Sequence, residues 1–238
     1  MVPFMQRFEA VFLHGWGFGS DFWQPLLRRL GWESVSVPDF GFLRTFSERQ
    51  GQDLQKTIKS LQQKGMPVLA VGHSLGFLWL VAQASLPVGS VFVGFNAFGR
   101  FVSGEGFTEG VPERVLHRMQ RNMKVDPLSV VNNFRKRCGA FPIPCNNIPH
   151  VQTLCWGLTV LKDVNIYAPL ALLGRRVIIM GGTQDDLISP EMLKASVPHS
   201  VRLMWQEGGH LLPQTHVEAS AMLLQSVRQS MEQGIYMR

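Results

Sequence analysis

Cysteine is scarce in this sequence. Its 238 residues include only three cysteines, Cys138, Cys145 and Cys155. None belongs to a Cys-x-x-Cys pair, and none lies at metal-ligand spacing from a histidine, so the usual zinc motifs are excluded. An odd and sparse count also argues against a disulfide framework and is typical of a reducing compartment. We therefore predict a cytoplasmic protein without a metal site.

Charged side chains are absent from Gly65 to Gly99. Glycine, proline and polar residues interrupt this stretch, so no apolar run reaches the ~18 residues of a membrane span. The segment from Met1 to Glu9 lacks the apolar region of a signal peptide. With 45% apolar and 17% charged residues, the composition is that of a soluble globular protein. We predict no membrane span.

A short apolar run from Val68 ends at the sequence Gly72-His73-Ser74-Leu75-Gly76, and a second apolar run of helical character follows at once. A Gly-x-Ser-x-Gly sequence between a strand and a helix is typical of a nucleophile elbow. The two glycines lack the Cβ atoms that would collide where strand and helix approach each other. We therefore predict that Ser74 stands exposed on a sharp turn at the end of a strand. Taken alone, the five-residue pattern also occurs by chance.

Strand and helix patterns alternate along most of the chain, which predicts an α/β fold with a doubly wound, mostly parallel sheet. The predicted strands are residues 10–13, 34–37, 68–71, 90–95, 175–180 and 201–205. The predicted helices of this layer are residues 22–30, 47–63 with Ser47 as N-cap, 75–84, 191–196 and 217–232. Between them, Pro112 opens the first of three helices, and the other two are residues 127–137 and 151–163. We predict a core of residues 1–98 and 165–238 and an all-helical lid of residues 99–164.

Three polar residues follow strand ends in the order Ser74, Asp185, His210. An open α/β sheet places its site at that edge, and the order is that of an α/β-hydrolase triad. His210 would accept the proton of Ser74, and Asp185 would orient the imidazole and stabilise its charged form. Asp186 is the alternative acid. This chemistry requires no metal and no organic cofactor.

An oxyanion needs two backbone donors. We predict that they are the N–H of Leu75, directly after the nucleophile, and the N–H of Trp16, in the glycine-rich turn after the first strand. Among the other histidines, we expect His14 to brace this turn and His73 to point away from the site.

Basic residues crowd the predicted lid. Between Arg114 and Arg137, seven basic side chains stand against Asp126 alone, a net charge of +6 that equals the surplus of the whole chain. Such a patch attracts an acidic partner, although a solvated helix face explains it equally well. Nucleic acid is a weaker option, because no recognition motif accompanies the charge. The candidate carrier-binding residues are Arg114, Arg118, Arg121, Arg135, Lys136 and Arg137.

The elbow, the oxyanion turn, the acid turn and the late Gly-His together resemble the α/β-hydrolase superfamily over nearly the whole chain. The sequence is most similar to the pimeloyl-acyl-carrier-protein methyl ester esterases of biotin synthesis. That likeness rests on His14-Gly15-Trp16-Gly17 with Phe22-Trp23 following, on the basic lid, and on residues 157–164 and 198–200. It implies a serine carboxylesterase that releases methanol from a pimeloyl chain tethered to acidic acyl carrier protein.

Two other functions remain open from the sequence. One is a general short-chain carboxylesterase or thioesterase that uses the same triad. The other is a non-catalytic ligand-binding protein on a hydrolase scaffold. In each case we expect a monomer.

Overall fold

The computed structural model describes residues 7–45, 52–145 and 147–237. A parallel sheet of five strands forms its centre, in the order β1-β5-β6-β8-β9. These strands are β1 (Glu9–Leu13), β5 (Val68–His73), β6 (Val91–Phe95), β8 (Val177–Gly182) and β9 (Arg202–Gln206). Four short strands pair outside this sheet, namely β2 (Pro38–Asp39), β3 (Leu43–Thr45), β4 (Gln52–Asp53) and β7 (Asn147–Pro149).

Helices cover both faces of the sheet. In chain order they are α1 (Gln24–Leu30), α2 (Leu54–Lys64), α3 (Leu75–Gln83), α4 (Glu113–Met123), α5 (Pro127–Arg137), α6 (Val151–Asp163), α7 (Tyr167–Leu173), α8 (Pro190–Ser196), α9 (Leu212–Thr215) and α10 (Val217–Glu232). Because the central strands are covered on both sides, every residue of β5 and β6 is buried. This burial explains why their sequences are continuously apolar rather than alternating. None of the helices in the described ranges is both long and apolar enough to cross a membrane.

The predicted fold class, a mostly parallel α/β sheet, is confirmed. Several element boundaries differ from the prediction. The expected strand 34–37 contributes only one bridge, between Ser36 and Val11, and β8 begins two residues late because Arg175 and Arg176 lie in a 3₁₀ turn. Helix α2 starts at Leu54, where the side chain of Asp53 accepts a hydrogen bond from the N–H of Lys56. The proposed N-cap Ser47 lies outside the described residues.

Residues 99–164, which we call the helical segment, contain α4, α5 and α6 between β6 and β8. They also contain β7, which pairs antiparallel with β3. Neither strand shows apolar alternation, and β7 ends in a proline, so no local pattern indicates this pairing. Helix α7 was also not predicted. The division of the chain into a core and a lid stays a prediction.

Candidate active site

Ser74 sits on a strained turn between β5 and α3. Its backbone has φ 52° and ψ −120°, a region that residues other than glycine rarely occupy. The turn is fixed on both sides, because the N–H of Ser74 donates to the carbonyl of Phe95 at 3.1 Å and its own carbonyl accepts from the N–H of Phe77 at 3.1 Å. Strain of this kind at a polar residue marks a candidate functional site.

Both glycines of the turn are required by close backbone contacts. A Cβ atom on Gly72 would lie 2.3 Å from the Cα atom of Phe77, where strand and helix meet. A Cβ atom on Gly76 would lie 2.1 Å from the carbonyl oxygen of Leu13, at the end of β1. Any side chain at either position would therefore push α3 away from the sheet.

The carboxylate of Asp185 lies in the loop after β8 and receives four hydrogen bonds. Its Oδ1 atom accepts from the N–H groups of Leu187 (2.8 Å) and Ile188 (3.0 Å). Its Oδ2 atom accepts from Nδ1 of His210 (2.8 Å) and from the amide of Asn96 (2.8 Å). Burial alone raises the pKa of Asp185, but His210 and the backbone donors outweigh it and hold the pKa below its usual value. Its neighbour Asp186 is exposed.

His210 follows β9 and is buried, with only 2% of its surface exposed. Because a carboxylate only accepts, the Nδ1 atom of His210 carries the hydrogen of its bond to Asp185. The Nε2 atom is buried and has no hydrogen-bond partner among the described residues. Asp185 therefore orients the imidazole through Nδ1, and Nε2 on the opposite side of the ring carries no hydrogen.

The glycine-rich turn after β1 lies against the elbow. A Cβ atom on Gly15 would stand 3.2 Å from Cβ of Ser74, so the turn passes close to Ser74 with no room for a side chain between them. The prediction that His14 braces this turn is confirmed, since its Nδ1 donates to the carbonyl of Gly15 at 2.9 Å. The side chain of Trp16 is buried and donates to the carbonyl of Leu154 at 2.8 Å. Trp16 and Leu75 as oxyanion donors stay predictions.

His73 does not point away from the site, contrary to the prediction. Its ring centre lies 4.8 Å from that of His210, and its Nε2 atom is 2.9 Å from the carbonyl oxygen of His210. Asn96, which is not among the predicted site residues, contacts both Asp185 and the loop of His210. A detectable signal existed for Asn96, because it directly follows a buried strand, as Ser74 does.

A small apolar cavity of about 30 Å³ lies between the helical segment and the oxyanion turn. Trp16, Phe134, Leu158 and Leu187 contribute to its walls, and Arg137 is the one charged residue on its lining among the described residues. A larger and more open recess of about 290 Å³ lies against β4 and α2 and contains no predicted site residue. Among the described residues, Ser74, Asp185 and His210 line neither recess. The smaller cavity borders Trp16 of the oxyanion turn and is therefore the better candidate for an acyl group.

Most of the candidate carrier-binding residues are exposed, and Arg135 is the exception. Its guanidinium donates to the carbonyls of Gly17 (3.0 Å) and Phe141 (2.8 Å) and lies over the ring of Phe18 at 4.7 Å. Burial lowers its pKa, while the charge of Asp21 opposes that shift. Arg135 thus makes internal contacts that the other candidates lack, and its assignment to a carrier-binding surface stays a prediction. The others, all exposed, are Arg114, Arg118, Arg121, Lys136 and Arg137.

Within the described ranges, no group of three or more histidine, cysteine, aspartate or glutamate side chains could hold a metal ion. All three cysteines are unpaired. The polar side chains at the carboxyl edge of the sheet include Ser74, the Asp185–His210 pair, His73 and Asn96. Such a set suits acyl transfer through a serine nucleophile.

The model of the alpha/beta hydrolase family matches residues 10–221, and the chain belongs to that family. Two curated relatives named pimeloyl-[acyl-carrier protein] methyl ester esterase match most of its length. The protein of Aliivibrio salmonicida is 24% identical over 85% of each chain, and that of Stenotrophomonas maltophilia is 25% identical over 91% of each chain. These matches confirm the resemblance to this group of esterases and the prediction that the chain is an esterase.

Solved structures agree on the fold. An esterase from Exiguobacterium antarcticum superposes with a TM-score of 0.74 at 18% identity, covering 95% of this chain and 93% of its own. A thermophilic esterase from Thermogutta terrifontis superposes with a TM-score of 0.68 at 17% identity, covering 96% and 92%. At these identities the likeness concerns the fold alone.

Proposed function

We propose that this chain is a carboxylic ester hydrolase in which Ser74, His210 and Asp185 form the catalytic triad. The observation that carries the proposal is the buried 2.8 Å contact between His210 and Asp185, at the same sheet edge as a serine in a strained turn. Since Nδ1 is committed to the carboxylate, Nε2 is the nitrogen left to accept a proton. A neutral imidazole held in this tautomer is what a general base requires.

The reaction follows from these roles. His210 takes the hydroxyl proton as Ser74 Oγ attacks the ester carbonyl, and the N–H groups of Trp16 and Leu75 stabilise the oxyanion. The imidazolium returns the proton to the departing alkoxide, which leaves as an alcohol and yields an acyl-enzyme. Water then attacks the acyl-enzyme with His210 again as the base, and the carboxylic acid and free Ser74 result.

The proposed substrate is a pimeloyl methyl ester tethered to acyl carrier protein, the dicarboxylate precursor in biotin synthesis, and the alcohol is methanol. The names of the curated relatives support this choice, as does the exposed basic surface of α4 and α5. The apolar cavity has room for about one water molecule, so a pimeloyl chain can enter only if the helical segment moves. We therefore propose that residues 99–164 act as a lid.

A general short-chain carboxylesterase is the second candidate. The small volume of the cavity, about 30 Å³, favours it, because a short acyl group needs less displacement of the helical segment. Both candidates use the same triad, so they differ only in what the helical segment admits and binds.

The test offers the purified enzyme three substrates, namely the carrier-bound pimeloyl methyl ester, free dimethyl pimelate and p-nitrophenyl acetate. We expect kcat/KM for the carrier-bound ester to exceed that for the free diester by about 100-fold, since docking adds binding energy remote from the reacting bond. Labelling of the wild type, and not of Ser74→Ala, by a fluorophosphonate is the control for the nucleophile.

Each outcome has a definite meaning. A preference for the aryl ester would favour the general esterase. Absence of both labelling and turnover would favour a ligand-binding protein on this scaffold.

A further inference from the structure

The loop that carries His210 is held by two buried side chains from neighbouring strand ends. Asn96, directly after β6, donates to the carbonyl of Gly209 at 3.1 Å. His73, the last residue of β5, donates to the carbonyl of His210 at 2.9 Å. We infer that His73 and Asn96 are positioning residues that fix the backbone of His210 and so aim its imidazole at Ser74. This inference rests on the triad proposed above.

His73 can serve only as a neutral donor. The carbonyl it contacts only accepts, so its Nε2 atom carries the hydrogen. The ring is completely buried and stacks on Phe22 at a centroid distance of 4.4 Å. Burial, followed by the neighbouring His210, keeps the pKa of His73 well below its usual value. A neutral neighbour places no positive charge beside the imidazolium that forms on His210 during the reaction.

Asn96 joins the acid and the base through one amide. Its Nδ2 atom donates both to Oδ2 of Asp185 at 2.8 Å and to the carbonyl of Gly209 at 3.1 Å. Its backbone has φ 48°, a conformation that asparagine tolerates better than most residues. Its N–H donates to the carbonyl of Met180, which ties the end of β6 to β8. The side-chain amide of Asn96 is therefore held in place both by its own backbone conformation and by its hydrogen bonds to Asp185 and Gly209.

His73 and Asn96 each have one buried polar atom without a hydrogen-bond partner among the described residues. In the part of the chain that the structure describes, four buried side-chain nitrogen or oxygen atoms lack a hydrogen-bond partner. Three of them belong to this cluster, namely Nδ1 of His73, Oδ1 of Asn96 and Nε2 of His210. Buried polar atoms without partners are costly, and stability alone would favour apolar residues there. Their concentration around the proposed base indicates a functional requirement.

Two crossed substitutions at His73 separate hydrogen bonding from packing. His73→Phe keeps a ring against Phe22 and removes the donor, whereas His73→Gln removes the ring and keeps an amide donor. With p-nitrophenyl acetate we expect His73→Phe to lower kcat about 100-fold at nearly unchanged KM, because a misplaced base loses orientation but not binding. His73→Gln should recover most of that loss. Asn96→Gly, which retains a positive φ and removes the amide, should lower kcat in the same way.

A second readout is independent of turnover. In proton NMR, the hydrogen between Nδ1 of His210 and Asp185 should give a strongly downfield signal, assigned by its absence in His210→Gln. We expect the signal to broaden or shift in His73→Phe and Asn96→Gly and to persist in His73→Gln. Thermal unfolding confirms that each variant is folded.

The results distinguish a failure of the positioning role of His73 and Asn96 from a failure of the proposed triad. Unchanged kcat and an unchanged NMR signal in folded His73→Phe and Asn96→Gly would overturn it. Equal losses in His73→Phe and His73→Gln would also overturn it, since packing would then explain the effect. If the wild type lacks esterase activity but the signal responds as expected, the triad proposal fails and the positioning of His210 stands.

Discussion

The carboxyl edge of the sheet and the helical segment treat their ionisable side chains in opposite ways. At the sheet edge, the side chains of His210 and Asp185 are 1% and 0% exposed and contact each other at 2.8 Å. On α4, the guanidinium groups of Arg114, Arg118 and Arg121 are exposed. Within the described residues, none of the three forms an ion pair. At the sheet edge the ionisable side chains are held by contact with each other, whereas on α4 they are surrounded by solvent.

The difference follows from what each region is proposed to do. Proton transfer depends on placement to a fraction of an ångström, so its groups need buried partners that hold them in place. Attraction of an acidic carrier works through the summed field of several charges and needs no fixed partner. The same reasoning predicts that substitutions at the sheet edge affect every substrate, whereas those on the helical surface affect only a charged one.

The adjacent carboxylates Asp185 and Asp186 provide the strongest test at the sheet edge. We expect Asp185→Asn to lower kcat for p-nitrophenyl acetate by about 10⁴-fold, because the amide favours the wrong tautomer of His210. Asp186→Asn, one residue away and exposed, should leave kcat within about twofold, as expected for a surface change. Steady-state kinetics measure both. Equal effects of the two variants would remove Asp185 from the proposed triad.

The parts of the site that the sequence predicted are those whose geometry is local. The elbow is recognisable because Gly72 and Gly76 must lack a Cβ atom and both stand close to Ser74 in the sequence, although the contact that excludes a side chain at Gly76 is with Leu13 of β1. Asp185 follows β8 and His210 follows β9, so strand ends alone indicate their common edge. The topology of a parallel sheet then brings them together without any further signal.

The parts that the sequence did not predict depend on contacts between distant residues. Asn96 meets Asp185 only because β6 and β8 are neighbours in the sheet. Similarly, β3 pairs with β7, in which Thr45 lies opposite Asn147, so the two strands are far apart in the sequence, and neither has a strand pattern. Arg135 was grouped with its exposed neighbours by charge alone. Its spacing of four residues from the buried Val131 places it on the inner stripe of α5, a signal that could have separated it.

Arg135 and Lys136 are adjacent residues, but Arg135 is held by internal contacts and Lys136 is exposed to solvent. We expect Arg135→Ala to lower the free energy of unfolding by about 1–3 kcal/mol, because it leaves the carbonyl of Gly17 without its donor and removes the contact with Phe18. Lys136→Ala should change it by less than about 0.5 kcal/mol, as is usual for an exposed residue. Urea unfolding of both variants measures the difference. If Arg135→Ala leaves the free energy of unfolding unchanged, the internal contacts of Arg135 contribute nothing to stability, and Arg135 behaves like the exposed basic residues.

A charge reversal on α4 provides the smallest and most selective effect. We expect Arg118→Glu to raise KM for the carrier-bound ester by about tenfold at low salt, because it opposes an acidic partner. Its kcat/KM for p-nitrophenyl acetate should stay unchanged. Arg28→Glu, at an exposed position of α1, carries the same change in net charge on another surface and is the matched control.

The dependence on salt then separates a docking surface from a solvated helix face. Screening weakens interactions between exposed charges beyond about 10 Å at 0.1 M salt. The difference between Arg118→Glu and the wild type should therefore shrink as salt rises, while Arg28→Glu stays close to the wild type throughout. If both reversals act equally, the net charge of the chain is responsible and α4 is not a specific surface. If neither acts, the basic residues of the helical segment serve solvation alone, and the sheet edge carries the whole reaction.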